Sequence, residues 1–185
     1  LFLLIHMARF FILFVVILAA LFAAELTAPV QTALVVPWTQ ALARISADLI
    51  TFFDPHVAVF GNVIQSTTNG FALSVRSGCN GVEAAMILIA AMLAFPASWK
   101  HRVIGIVAGL FAVQLLNIVR VVSLFYLGQW NMTAFDWAHL YLWPALIMLD
   151  VLIVWMIWIR TLPKVTARVP TPADDGVGLQ PGAAR

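Results

Sequence analysis

Apolar positions run through this chain in long stretches, broken by short polar segments. A helix that crosses a bilayer needs about 20 mostly apolar residues. Four segments predict such helices: Met7 to Ala24, Asn80 to Trp99, Val103 to Leu127 and His139 to Ile159, the second of them short. Between the first two the pattern changes. In "PVQTALVVPWTQALARISADLITFF" the apolar residues recur at helical spacing, with Leu42, Ile45, Leu49, Phe52 and Phe53 on one side and Gln40, Arg44 and Asp48 opposite. This predicts an amphipathic helix over Trp38 to Phe53, lying at the outer membrane interface. "VIQSTTNGFALSVRS" then alternates with a period of two: Phe71, Leu73 and Val75 point one way, Ala72, Ser74 and Arg76 the other. Asn69-Gly70 between two such runs is a hairpin signal. After Ile159 the chain turns rich in Pro and Gly and loses periodicity. Residues 161–185 read as a disordered cytoplasmic tail. The expected fold class is an all-α polytopic membrane protein. It has about four transmembrane helices, an outer amphipathic helix and a small β-hairpin before the second span, in one membrane domain over residues 1–160.

Composition agrees with the pattern. The chain is 63% hydrophobic and 10% charged, whereas a soluble domain is about 45–50% apolar and about 25% charged. A formal net charge of +2 with no basic face gives no reason to expect nucleic acid. One cysteine, Cys79, forms no intramolecular disulfide, and the absence of CxxC or Cys/His clusters gives no metal site. No cofactor is implied. The first apolar run, with Arg9 before it, has the outline of a signal peptide, but no clear polar cleavage region follows. It reads as a retained span, with a signal peptide as the alternative.

Basic residues near span ends set orientation. Lys100 and Arg102 lie between spans two and three, and Arg160, Lys164 and Arg168 follow span four. With Arg9, these place both termini in the cytoplasm. Residues 25–79 and 128–138 then face outward, with Arg44 and Arg76 as minor exceptions.

This topology gathers chemistry at one face. Cys79 opens span two at its outer end. Arg120 lies 17 positions after Val103, or about 25 Å of helix rise toward the outer side. His139 opens span four, again outside. A Cys at a helix N-terminus meets the positive end of the helix dipole and free N–H groups, which favour thiolate. A Cys beside a His and an Arg suits acyl transfer: attack on a carbonyl, proton movement and oxyanion stabilisation. Gly78 and Gly81 permit close approach of a peptide. Each residue also has a plainer reading. Cys79 serves equally as a small packing residue. Arg120 snorkels outward or pairs with Glu83, one helical turn below Cys79. His139 belongs to an aromatic belt with Trp137, Tyr141 and Trp143, and His56 is a rival outer histidine. Asn117, three residues before Arg120, orients it or bonds a neighbouring helix. Asn80 follows the Cys directly, and Asp136 stands three residues before His139 as a candidate to orient it. Asp150, deep in span four, reads as a structural polar contact or the partner of an unidentified charge.

"SGCNG", "NIVR" and "AHLYLW" together resemble the exosortase/archaeosortase family of membrane transpeptidases, over about residues 57–160. The family pattern is a Cys in a short Gly/Ser-containing motif, an N-x-x-R-type motif on a later helix, and a His at the start of the next. Here "CNG" replaces the commoner "CSG". The chain has fewer spans than the larger members and looks most like a compact subtype such as exosortase H. The resemblance implies that Cys79 is the nucleophile, Arg120 the oxyanion stabiliser and His139 the proton carrier, without metal or cofactor. It implies substrates with a C-terminal sorting signal, as in PEP-CTERM-type tails: a short motif, a transmembrane helix and a basic cluster. It also implies a bacterial inner membrane, with the site facing the periplasm. Two other readings stand beside it. One is a non-catalytic component of surface-protein or polysaccharide export, binding a lipid or helix in the outer cleft. The other is a small transporter using Asp150, Glu83 and Arg120, against which the apolar inner halves of the spans count.

Overall fold

A computed structural model describes residues 2–162. The first apolar run forms α1, Phe2–Glu25. A polar break follows, in which the Gln31 side chain donates to both the main-chain oxygen and the carboxylate of Glu25. A short helical entry, α2 (Ala28–Val30), and a π-helical turn at Gln31–Val35 lead without a break into α3, Val36–Thr51. This is the expected amphipathic helix, but it is rotated from the expected orientation. Its buried side is made by Leu42, Ala43, Ser46, Ala47 and Ile50, while Ile45, Leu49, Phe52 and Phe53 are exposed. The physical reason is that small residues let helix backbones approach closely, and in a membrane large apolar side chains need no protein partner.

The hairpin is present and belongs to a three-stranded antiparallel sheet: β1 (Val57–Phe60), β2 (Val63–Ser66) and β3 (Ala72–Ser74), in that spatial order. Asn69 and Gly70 lie in its loop, where Gly70 takes φ 76° and the Asn69 side chain accepts the Phe71 N–H. Val75 and Ile64 are buried with Leu42, Ile50 and Phe125, which joins the sheet to α3 and to the long fifth helix.

That long helix is α5, Trp99–Trp130. The fourth, α4, is Val82–Ala94, only 13 residues, or about 20 Å of rise. It falls short of the expected Asn80–Trp99 span. Its two ends explain this. Gly81 has φ 73°, which no right-handed helix accommodates. Pro96 disfavours helical backbone at the residue before it, and Phe95 is extended at φ −77°, ψ 137°. The short helix is wrapped by α1, α5 and the last helix rather than set at the edge. Among the described residues three helices are long and apolar enough to cross a membrane: Met7–Glu25, Trp99–Trp130 and Met132–Thr161.

The last span runs as α6 (Met132–Trp137), a π-helical turn (Ala138–Leu142) and α7 (Trp143–Thr161). The outer connection expected over residues 128–138 contracts to Asn131 alone. Its side chain caps the new helix by accepting the Ala134 N–H. Near the other end α5 and α7 pack closely at Gly105, where an added Cβ would lie 2.1 Å from the Trp158 ring nitrogen. Of the expected tail over 161–185, residues 163–185 lie outside the described residues.

Candidate active site

Cys79 sits three residues before α4, in a turn rather than at the helix start. Gly78 and Gly81 both take positive φ, 82° and 73°, and the Cys79 N–H closes the turn on the Arg76 carbonyl at 2.8 Å. Asn80 is fully buried and ties this turn to two elements. Its Oδ1 accepts the Val82 N–H, its Nδ2 donates to Thr39 Oγ1, and its carbonyl accepts from the Trp38 indole. The thiol is thus held from α3 as well as α4. The expected supply of free N–H groups at the helix start is correspondingly reduced, because Asn80 occupies the first of them.

Two residues of α5 reach the same turn. Asn117 Nδ2 donates to the Cys79 carbonyl at 3.2 Å, so Asn117 positions the cysteine turn rather than Arg120. Arg120 is only 4% exposed. Its Nη1 donates to the Gly78 carbonyl at 2.9 Å and its Nη2 to the Cys79 sulfur at 3.3 Å. Glu83 is not a hydrogen-bond partner of Arg120. Its carboxylate accepts the Gly78 N–H at 2.7 Å, so Arg120 and Glu83 grip opposite ends of one residue.

His139 approaches from the last span. Cys79 Sγ lies 3.7 Å from its Nδ1 and 4.0 Å from its Nε2. The histidine does not open a helix, as expected, but lies within the π-helical turn. Such turns are often found at functional sites, where the wider winding re-aims a side chain. Its ring is stacked on Phe135, centroids 5.6 Å apart and planes 9° apart. Asp136 is exposed and makes no hydrogen bond to His139 among the described residues. The contact made by the His139 ring is with Phe135, not a hydrogen bond from the expected Asp136.

Cys79, Arg120 and His139 line one cleft of about 290 Å³, bounded by β3 and by Leu124, Met132 and Phe135. Burial raises the Cys79 thiol pKa; Arg120 opposes this and Glu83 adds to it. These surroundings favour the protonated sulfur, and an imidazole nitrogen lies beside it. The other candidates lie elsewhere. His56 is exposed just before β1, and Asp150, midway along α7, has a carboxylate oxygen with no partner among the described residues. Among those residues no group of three His, Cys, Asp or Glu side chains forms a metal-binding cluster.

Three supports of the site were not legible in the sequence: Thr39, Phe135 and Gln114. Gln114 packs under Gly81 and donates to its carbonyl at 3.4 Å. Only Phe135 carried a signal, its i, i+4 spacing to His139.

A polytopic helical membrane protein with a Cys, an Arg and a His converging on one cleft is the class that fold and site define. Residues 1–158 match the family described as Transmembrane exosortase (Exosortase_EpsH). The chain belongs to the transmembrane exosortase family. Neither curated proteins nor solved structures provide a significant match.

Proposed function

We propose that this protein is a membrane cysteine transpeptidase or peptidase that cleaves the C-terminal sorting signals of exported proteins, PEP-CTERM-like tails, at the outer face of a bacterial inner membrane. The observation that carries this reading is the convergence of Arg120 Nη2 at 3.3 Å and His139 Nδ1 at 3.7 Å on the single thiol of the chain.

The chemistry follows from the geometry. His139 takes the thiol proton as Cys79 Sγ attacks the scissile carbonyl carbon. A C–S bond forms and the carbonyl oxygen becomes an oxyanion, which the Arg120 guanidinium stabilises. The intermediate collapses, the C–N bond breaks, and the leaving amine takes the proton from His139. A thioester on Cys79 remains. Water or an amine acceptor then attacks it, giving its proton to His139, which returns one to the departing sulfur. Both termini lie in the cytoplasm in this reading. A substrate helix held with its basic end inside presents its motif at the level of Cys79.

The test is processing of a co-expressed protein with a tripartite C-terminal tail, followed by gel shift at matched expression. Wild type cleaves it. Cys79→Ala abolishes cleavage. Arg120→Ala reduces it by about 10²- to 10³-fold, the usual loss on removing one oxyanion donor. His139→Ala reduces it by about 10²- to 10⁴-fold, the usual contribution of general acid–base catalysis. Equal processing by wild type and Cys79→Ala would remove the nucleophile and with it the reading.

A further inference from the structure

The proposed reaction needs an extended peptide laid across the Cys79 sulfur, and one element of the fold is suited to hold it. The sheet ends at β3, and the two main-chain directions along that strand are distinguishable. The Phe71 carbonyl accepts the Ser66 N–H, and the Val75 N–H donates to the Asn62 carbonyl. Leu73 stands opposite Ile64 in the register between them. In an antiparallel pair, hydrogen-bonded and non-hydrogen-bonded positions alternate. Phe71, Leu73 and Val75 therefore direct their main-chain groups at β2, while Ala72 and Ser74 direct theirs away from it. Among the described residues, no element of the fold pairs with that outer side. It is an open sheet edge.

The edge opens onto the reactive cleft. Residues 71–76 line it together with Leu124, Phe135, Cys79, Arg120 and His139. Only the turn from Arg76 to Cys79, closed by the Cys79 N–H on the Arg76 carbonyl, and Val75 separate the end of β3 from the sulfur. The cleft volume of about 290 Å³ is at the small end of ligand pockets, which span about 300–1,000 Å³. It suits a few residues of extended chain rather than a folded surface. An open edge is otherwise a liability for aggregation, and an added strand would pair it.

We infer that substrate binds by strand addition: the peptide around the scissile bond pairs through its main chain with Ala72 and Ser74 at the free edge of β3. This inference rests on the proposed reaction and adds how that site recognises its substrate. Main-chain pairing supplies affinity that is tolerant of sequence, and alternate side chains of the added strand meet the apolar wall. The occupant is an extended peptide with free N–H groups at every second position.

The test uses a tail-bearing protein that wild type processes in a Cys79-dependent manner. Ala72→Pro removes the outward N–H without removing a bond to β2, and the first residue of an edge strand is a position where proline is tolerated. Processing should fall about tenfold or more, while the rate at which a small neutral reagent alkylates Cys79 stays within about twofold. Processing at the wild-type rate in Ala72→Pro overturns the inference and leaves the catalytic reading intact. If Ala72→Pro also changes alkylation, a second variant decides. In the cysteine-free background Cys79→Ala, Ala72→Cys is paired with single cysteines walked along the outer segment of the tail. Disulfides at alternate positions bear the inference out; no disulfide, or disulfides at a run of consecutive positions, overturns it. Failure of the catalytic reading is visible separately, as processing that survives Cys79→Ala.

Discussion

The hydrogen bonds that Arg120 makes go to a main-chain carbonyl and a sulfur, and no carboxylate is among those partners. Its Nε has no partner among the described residues. A buried cation with no carboxylate bonded to it among the described residues is costly to keep, and the cost is understandable if negative charge develops beside it during the proposed reaction. Glu83 has a different part. By holding the Gly78 N–H at 2.7 Å it fixes the turn, but its charge works against thiolate. Glu83→Gln keeps an oxygen to accept that N–H and removes the charge. Since Glu83 raises the thiol pKa, the variant should lower it. The pH profile of Cys79 alkylation should then move toward acid, as expected on loss of a nearby like charge. Arg120→Ala should move it toward base. An unmoved or basic-shifted profile in Glu83→Gln would mean that Glu83 acts only as a hydrogen-bond acceptor.

Two irregular turns build the site. One is the Gly78–Gly81 turn before α4; the other is the π-helical turn that carries His139. The two glycines face different surroundings. An added Cβ at Gly78 meets nothing within 4 Å, whereas at Gly81 it would lie 2.8 Å from Gln114. Gly78→Ala should therefore cost only the left-handed backbone, about 1–2 kcal/mol, and Gly81→Ala more, because Gln114 must also move. Thermal unfolding in detergent compares the two directly. Equal midpoints would show that Gln114 yields freely. The candidate residues were legible because Cys79 is the single cysteine and Arg120 is a charge set within an apolar run. The irregular turns were not. A π-helical turn has no distinct residue signature, and Thr39 or Gln114 looks like any other residue of its helix. The shortness of α4 was legible in part, through Gly81 and Pro96. The buried side of α3 was not, because in a bilayer a large apolar side chain is as comfortable facing lipid as facing protein.

At the scale of the molecule, three long helices and a short central one support a small sheet, and the cleft opens where these parts meet. The tip of α5 rises ten residues beyond Arg120, from Val121 to Trp130, or about 15 Å. The reacting groups are therefore sunk between elements rather than displayed at helix ends. Order along the chain and membrane orientation were enough to gather Cys79, Arg120 and His139 at one face. The small sheet was only half legible: the Asn69-Gly70 hairpin announced itself, while β1 and the open edge of β3 depend on pairing across the loop. The central claim is that Cys79 carries the substrate covalently. The most direct measurement is intact mass spectrometry of the protein purified from membranes that co-express a processed tail protein. The expected result is a mass increase equal to the N-terminal fragment of the substrate, located at Cys79, released by neutral hydroxylamine and absent in Cys79→Ala. Processing that proceeds without this adduct, and at an equal rate in Cys79→Ala, would contradict it.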